Sequence, residues 1–275
     1  MCTSSPDSVE GICIVGQFDP NGNPGTPVTG TRVDGFTVDG FSDFGLLAFN
    51  AADTTVSRME ARDNKSYGIS GFILSGVSYL RNTAHDNGEP GFYIGDSPQA
   101  NAVVVGNTSF RNGVGGAEGF GFLFRDSSHG DVHGNRASGN CAGFVFIDTG
   151  ENPDPMAHWT AENNYATANN GSCPGGGGPP PFSGIGIILG GTDDVTLRAN
   201  VVAGNVPSGP SIASAGIAVV STVQGGGAKP SNNVVAHNIV RNNQPFDIFW
   251  DKSGPNNRFR QNDCQTSQPS SICSP

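Results

Sequence analysis

The chain has 275 residues, only 14% of them charged, with 41 Gly, 19 Pro and a formal net charge of −10. Gly and Pro in such numbers exclude a mostly helical protein, and the negative charge makes nucleic acid and anionic lipid surfaces poor partners. No apolar run reaches the length of about 18 residues expected of a membrane-spanning helix, so no membrane span is expected.

In chain order, short strands begin on a small residue at Gly11, Gly45, Gly68, Gly91, Gly121, Gly143, Gly186 and Gly216, and less regularly at Asp247. The shortest spacing is 23 residues, from Gly45 to Gly68 to Gly91. Aligned on these starts, strands of period two fall into columns. The inward columns read Leu46, Ile69, Phe92, Phe122, Phe144, Ile187, Ile217, Ile248, and then Ala48, Gly71, Ile94, Phe124, Phe146, Leu189, Val219, Trp250. Nearly every member is apolar. A second inward pair is expected later in each coil, as at Val103 and Val105 or Val195 and Leu197. Such units cannot bury their own faces and must stack on one another.

Each strand group closes on the spacing N-x4-N: Asn82–Asn87, Asn107–Asn112, Asn135–Asn140, Asn164–Asn169, Asn200–Asn205 and Asn238–Asn243, with a degenerate copy at Gly35–Gly40. Asparagine at a corner bonds backbone groups and can stack into ladders. These residues are predicted to form turns and not a site. The glycosylation sequons at Asn64, Asn107 and Asn170 arise from the same turns. The pattern predicts an all-β solenoid of about nine coils in a single domain over residues 1–275. Loops are inserted near 148–158, 171–182, 206–215 and 221–231.

The copies "GFYIGDSPQANAVVVGN", "GFLFRDSSHGDVHGN" and "GIGIILGGTDDVTLRAN" resemble the repeats of right-handed parallel β-helix proteins. That is the pectate-lyase-like superfamily, including the carbohydrate-binding/sugar-hydrolase and NosD-like repeats. The resemblance covers roughly residues 11–262. It implies a right-handed parallel β-helix. It is weak for function, because relatives include polysaccharide lyases, glycoside hydrolases, epimerases and non-catalytic adhesins.

Candidate chemistry lies on the outward columns. The first reads Leu47, Ser70, Tyr93, Leu123, Val145, Ile188, Ala218, Phe249; the second reads Phe49, Phe72, Gly95, Arg125, Ile147, Gly190, Val220, Asp251. A face this apolar needs a cover, a ligand or a partner. Inserted loops could pack over it, a cleft lined by Phe49, Phe72, Tyr93 and Phe249 could bind a ligand, or a second copy could dock there. The next column reads Asn50, Ile73, Asp96, Asp126, Asp148, Gly191, Ser221, Lys252. Asp96, Asp126 and Asp148 would then lie about 4.8 Å apart on successive rungs, with Arg125 beside them. Close carboxylates raise one another's pKa or attract a cation such as calcium. The resemblance implies that such acids hold calcium in relatives that cleave uronic acid polymers, with an Arg or Lys taking the proton. Arg125 or Lys252 would fill that role, and Asp251 would join the binding surface. The competing reading is structural, because Asp followed by Ser or Thr at a strand end makes an Asx turn.

Six cysteines without a C-x-x-C pair suggest disulfides, not zinc. Stacked corners would pair Cys141 with Cys173, and Cys2–Cys13 and Cys264–Cys273 would staple the two ends. Disulfides point to an extracellular or cell-surface location. No signal peptide is visible, and Met1 before "CTSSPDS" reads as a start placed inside a longer natural chain. The histidines, His129 and His133 among them, read as solvated turn residues. Two functions fit. One is a secreted carbohydrate-active protein, a lyase, hydrolase or epimerase acting on a polysaccharide. The other is a non-catalytic surface or binding module, including one that holds an apolar small molecule or other extended ligand.

Overall fold

The structure, a computed structural model, describes residues 8–113, 118–152, 155–175 and 180–273. Each coil contributes one strand segment to each of three faces, and every pairing between coils is parallel. On the first face the register runs Leu46, Ile69, Phe92, Phe122, Phe144, Ile187, Ile217, Ile248. All eight are at most 1% exposed, because period two sends this column into the core at every rung. Phe92, Phe122 and Phe144 stack with ring centroids 4.7 Å apart and planes within 6°. Their spacing is the rung spacing of the sheet, about 4.8 Å, so rings sit flush without distorting the ladder.

The second face is lined inside by Val56, Tyr79, Val104, Val132, Ala161, Leu197 and Val235. The third is an eight-stranded sheet whose inward residues are small: Ala61, Ala84, Ser109, Ala137 and Ala166 in its middle. Small residues there leave room for the rings of the first face. Val195 and Leu197 point inward, but Val103 and Val105 do not. Val103 is 38% exposed, and Ala102 and Val104 fill the core instead. The register sets Val104 level with Leu197 through Val132 and Ala161, and the same left-handed residue precedes both strands, at Asn101 and Asp194, so Val103 and Val105 lie one position out of phase with the inward column.

The small residue that opens each first-face strand is there because coils touch at that point. A Cβ on Gly121 would stand 2.6 Å from the Gly143 carbonyl oxygen, and one on Gly143 would stand 2.5 Å from that of Gly186.

The two asparagines of each N-x4-N pair belong to two separate ladders, one at each end of the third face. In one, Asn64, Asn87, Asn112, Asn140, Asn169, Asn205 and Asn243 each donate from Nδ2 to the next Oδ1 at 2.8–3.2 Å. In the other, Asn82, Asn107, Asn135, Asn164, Asn200, Asn238 and Asn262 do the same at 2.9–3.0 Å. The first ladder ends on Asp247, whose carboxylate accepts from Asn243 and from the Gln265 and Thr266 amides. The last rung has nothing further to donate to, so an acceptor-only side chain suits it. Asn64 and Asn107 are buried in these ladders, whereas Asn170 is exposed.

Disulfides join Cys141 to Cys173 and Cys264 to Cys273. Cys13 is also disulfide-bonded; its expected partner, Cys2, lies outside the described residues. No helix among the described residues is long and apolar enough to cross a membrane.

Candidate functional site

The acid column begins as a backbone requirement. Asn50, Ile73, Asp96, Asp126 and Lys252 all have φ between 46° and 64°, where the chain bends from the first face to the second. Asn and Asp adopt this left-handed conformation more readily than other side chains. The bend therefore explains acidic or amide residues at Asn50, Asp96 and Asp126 before any function is invoked.

Asp96 and Asp126 do converge, but the third acid is not Asp148. The inserted loop leaves the ladder right after the strand Ala142–Ile147. The Asp148 carboxylate turns into that loop, accepting from the Gly150 amide at 2.9 Å and the Met156 amide at 3.3 Å. Burial raises its pKa, and Asp126 adds to the shift. Glu151 takes the expected place: oxygens of Asp96, Asp126 and Glu151 lie within 4.8 Å of one another. Arg125 sits among them, 2.7 Å from Glu151, 3.6 Å from Asp96 and 3.5 Å from Asp126. Burial works against the Arg125 charge, yet Tyr93, Asp96, Glu151 and Asp126 more than offset it and raise its pKa. Asp126 is only 2% exposed and accepts from the Thr149 amide at 2.7 Å and from the Thr149 hydroxyl. Asn152 donates to Asp96 at 3.1 Å. The cluster thus pins the start of the inserted loop to two coils. Its oxygens would suit a hard cation, but the guanidinium already supplies the positive charge there. As arranged, the residues do not fit calcium.

The first outward column is covered. Tyr93, Leu123, Val145, Ile188 and Ala218 are at most 3% exposed and pack with Phe120, Phe182, Ala213 and the Cys141–Cys173 disulfide. Segments of the 171–182 and 206–215 loops form that cover, including the short antiparallel pairing of Ser172–Cys173 with Phe182–Ser183. Tyr93 therefore does not line an open cleft. Its hydroxyl lies over Gly95, where a Cβ would come within 1.9 Å of it, and burial raises its pKa.

Toward the N-terminal coils the face stays partly open. Phe49 and Phe72 are half-buried in the second outward column, and their register leads through Gly95 to Arg125. Phe18, Phe49, Phe72 and Tyr93 form a run of ring contacts at 4.7–5.7 Å. Tyr67 stacks on Phe44 at 5.4 Å and meets Tyr93 at 5.1 Å. Glu89 and Glu118 also act on Tyr67. Burial raises the pKa of both acids, and Glu89 adds to the shift of Glu118. Phe249, Asp251 and Lys252 lie elsewhere. Four rungs, roughly 19 Å at the sheet spacing, separate them from Arg125. Asp251 bonds the Ser221 and Ser253 amides at 2.7 Å, and Lys252 is exposed at a bend.

Sequence reasoning missed Glu151, Asn152, Tyr67, Glu89 and Glu118. For Tyr67 a signal existed: the residue before each small start is itself a column, reading Phe44, Tyr67, Pro90, Phe120, Ala142, Ile185, Ala215, Phe246. For Glu151 none did, because an inserted loop carries no periodicity.

A family described as "Right handed beta helix region" matches residues 21–155. The chain also superposes on the periplasmic alginate epimerase AlgG with a TM-score of 0.67 over 91% of its length, at 16% identity. The chain is a right-handed parallel β-helix repeat protein. This β-helix spans 55% of the length of AlgG. It is similar too to the A-module of the Azotobacter vinelandii mannuronan C-5 epimerase AlgE4. There the TM-score is 0.57 and the identity 13%, over 95% of this chain and 77% of that one. At such identities the likeness is one of fold. No curated protein matches the β-helix by sequence.

Proposed function

We propose that this β-helix is a secreted carbohydrate-active protein that binds a polysaccharide along its first outward face, from Phe49 through Phe72 to Arg125. The observation that carries the reading is the register itself. Half-exposed aromatic rings, suited to stacking on sugar faces, lead rung by rung into a charged cluster on the same column. An extended ligand lying across the rungs would meet both. The two solved neighbours are named as epimerases of alginate and mannuronan, which supports a polysaccharide as the ligand class.

Glu151 is the group a ligand would displace. Its side chain is 61% exposed, against 29% for Asp96 and 1% for Asp126. A sugar carboxylate or hydroxyl taking its place would bind Arg125, with Asp96 and Asp126 still holding the guanidinium. The net charge of −10 disfavours long polyuronates, so a neutral or sparsely charged glycan fits better. A lyase, hydrolase or epimerase reaction would use the carboxyls around Arg125. The second reading is a non-catalytic binding module, favoured by one fact: every carboxylate near Arg125 also serves the loop or the bend.

A panel of neutral and uronic-acid glycans, with calcium added or chelated, separates these. New reducing ends, unsaturated ends or inverted uronate centres identify an enzyme. Retention of a glycan with no product identifies a binding module. No retention and no product on any glycan would contradict the proposal.

A further inference from the structure

The bend into the second face carries another left-handed column. Asp53, Asn101, His129, His158, Asp194, Asn232 and Asn256 have φ between 41° and 64°. Asp, Asn or Gly (Gly30 and Gly76 are also left-handed) fill it except at two consecutive rungs, which hold histidine. A left-handed bend accepts a short polar residue; it does not call for two imidazoles in register. Ser128 pairs with Ala157 and Gly130 with Trp159, so His129 and His158 stand side by side. Their ring centroids are 4.8 Å apart with planes at 38°.

That separation suits a shared ion. Zinc–imidazole bonds of about 2.0–2.1 Å place each ring centre roughly 3.2 Å from the metal, so rings at this spacing would subtend about 100°, near the tetrahedral value. His158 Nδ1 bonds Asp194 Oδ2 at 2.9 Å, which orients the ring and leaves Nε2 free, the carboxylate–histidine arrangement of metal sites. His129 Nδ1 is shut off from solvent and has no hydrogen-bond partner, an unmet requirement that an ion between the rings would satisfy. A depression of about 280 Å³ opens onto the pair, lined also by Asn101, Val103, Asp131 and Thr160. Asp131, two residues after His129 on the same strand, lines the same depression.

We infer that His129 and His158 form a binding site for a borderline divalent transition ion such as Zn²⁺, with Asp194 as a positioning residue. The site lies at the bend into the second face and does not depend on the glycan-binding proposal.

Calorimetric titration of the full chain with zinc chloride in a non-chelating buffer tests it. Wild type should bind one ion per chain. His129→Asn and His158→Asn keep a residue suited to the left-handed bend and should each weaken binding tenfold or more. Asp194→Asn should also weaken it, by about 10–100-fold, without changing the melting temperature of the metal-free protein. His133→Asn should bind as wild type does. As a measurement that needs no variant, zinc should protect His129 and His158 from diethyl pyrocarbonate while His133 and His237 stay reactive. Absence of zinc binding by wild type, unchanged affinity in both histidine variants, or equal labelling with and without zinc would each overturn the inference.

Discussion

Arg125 and Glu151 meet at 2.7 Å, and through that contact an inserted loop is held against two coils of the solenoid. The pair is unequal. Glu151 is largely exposed, while Arg125 also screens the buried carboxylate of Asp126. Arg125→Met should destabilise the fold by about 1–3 kcal/mol, because Asp126 would keep its charge without its cation. Glu151→Gln should cost about 0–1 kcal/mol, as for other exposed ion pairs. Urea unfolding of both variants checks the difference; equal losses would show that the cluster is not arranged around Asp126.

The asparagine ladders should be the least substitutable surface-distant feature of the chain. Asn135 donates to the Val104 carbonyl at 2.8 Å and to Asn164 at 3.0 Å, and accepts from Asn107. Asn135→Ala should cost about 2–4 kcal/mol, since buried partners on both neighbouring coils lose a bond. Asn135→Asp should be worse at neutral pH, because a carboxylate would face two acceptors. Acidification should recover part of that loss. A neutral effect of Asn135→Asp would contradict the assigned donor direction.

Phe124 packs against Phe146 at 4.7 Å and Trp159 at 4.6 Å and is 1% exposed. Phe124→Ala should cost about 3–5 kcal/mol through lost transfer energy and the cavity left between rungs. Chemical denaturation gives the value, and a loss under 1 kcal/mol, well below the range for buried Phe, would mean that the stack relaxes.

Burial raises the Glu118 pKa, with Glu89 adding to it. A carboxyl with a raised folded pKa binds its proton more tightly when folded, so its contribution to stability falls as pH rises from the unfolded pKa through the folded one. Glu118→Gln removes that penalty. The variant should match wild type in acid and exceed it at neutral pH, and the gap should open across the range just above the usual carboxylate pKa. Stability curves over pH for the two proteins test this. A gap that opens on acidification would reverse the sign of the argument.

The repeat was legible because it is written twice, in the inward columns from Leu46 to Ile248 and in the Asn ladders. Both depend on residues whose chemistry admits little else at a buried rung or a corner. The phase at Val103 was not legible, because Ala102 to Val105 is an unbroken apolar run with no alternation to set it. Asp96 and Asp126 were correctly placed on one edge, since the bend fixes them. Asp148 was not, because the loop that follows redirects its side chain and brings Glu151 to Arg125. The burial of Tyr93 could not be read either, as it depends on how the 171–182 and 206–215 segments fold back across neighbouring coils.

Glycan binding is proposed for the aromatic column that leads to Arg125. Its most direct test compares glycan retention by wild type, Phe72→Ala and Phe49→Ala, with the melting temperature recorded on the same samples. Wild type should retain at least one polysaccharide, and both variants should bind it at least tenfold more weakly while still folded. Retention that is unchanged in both folded variants, or absent from wild type across the panel, would contradict the proposal.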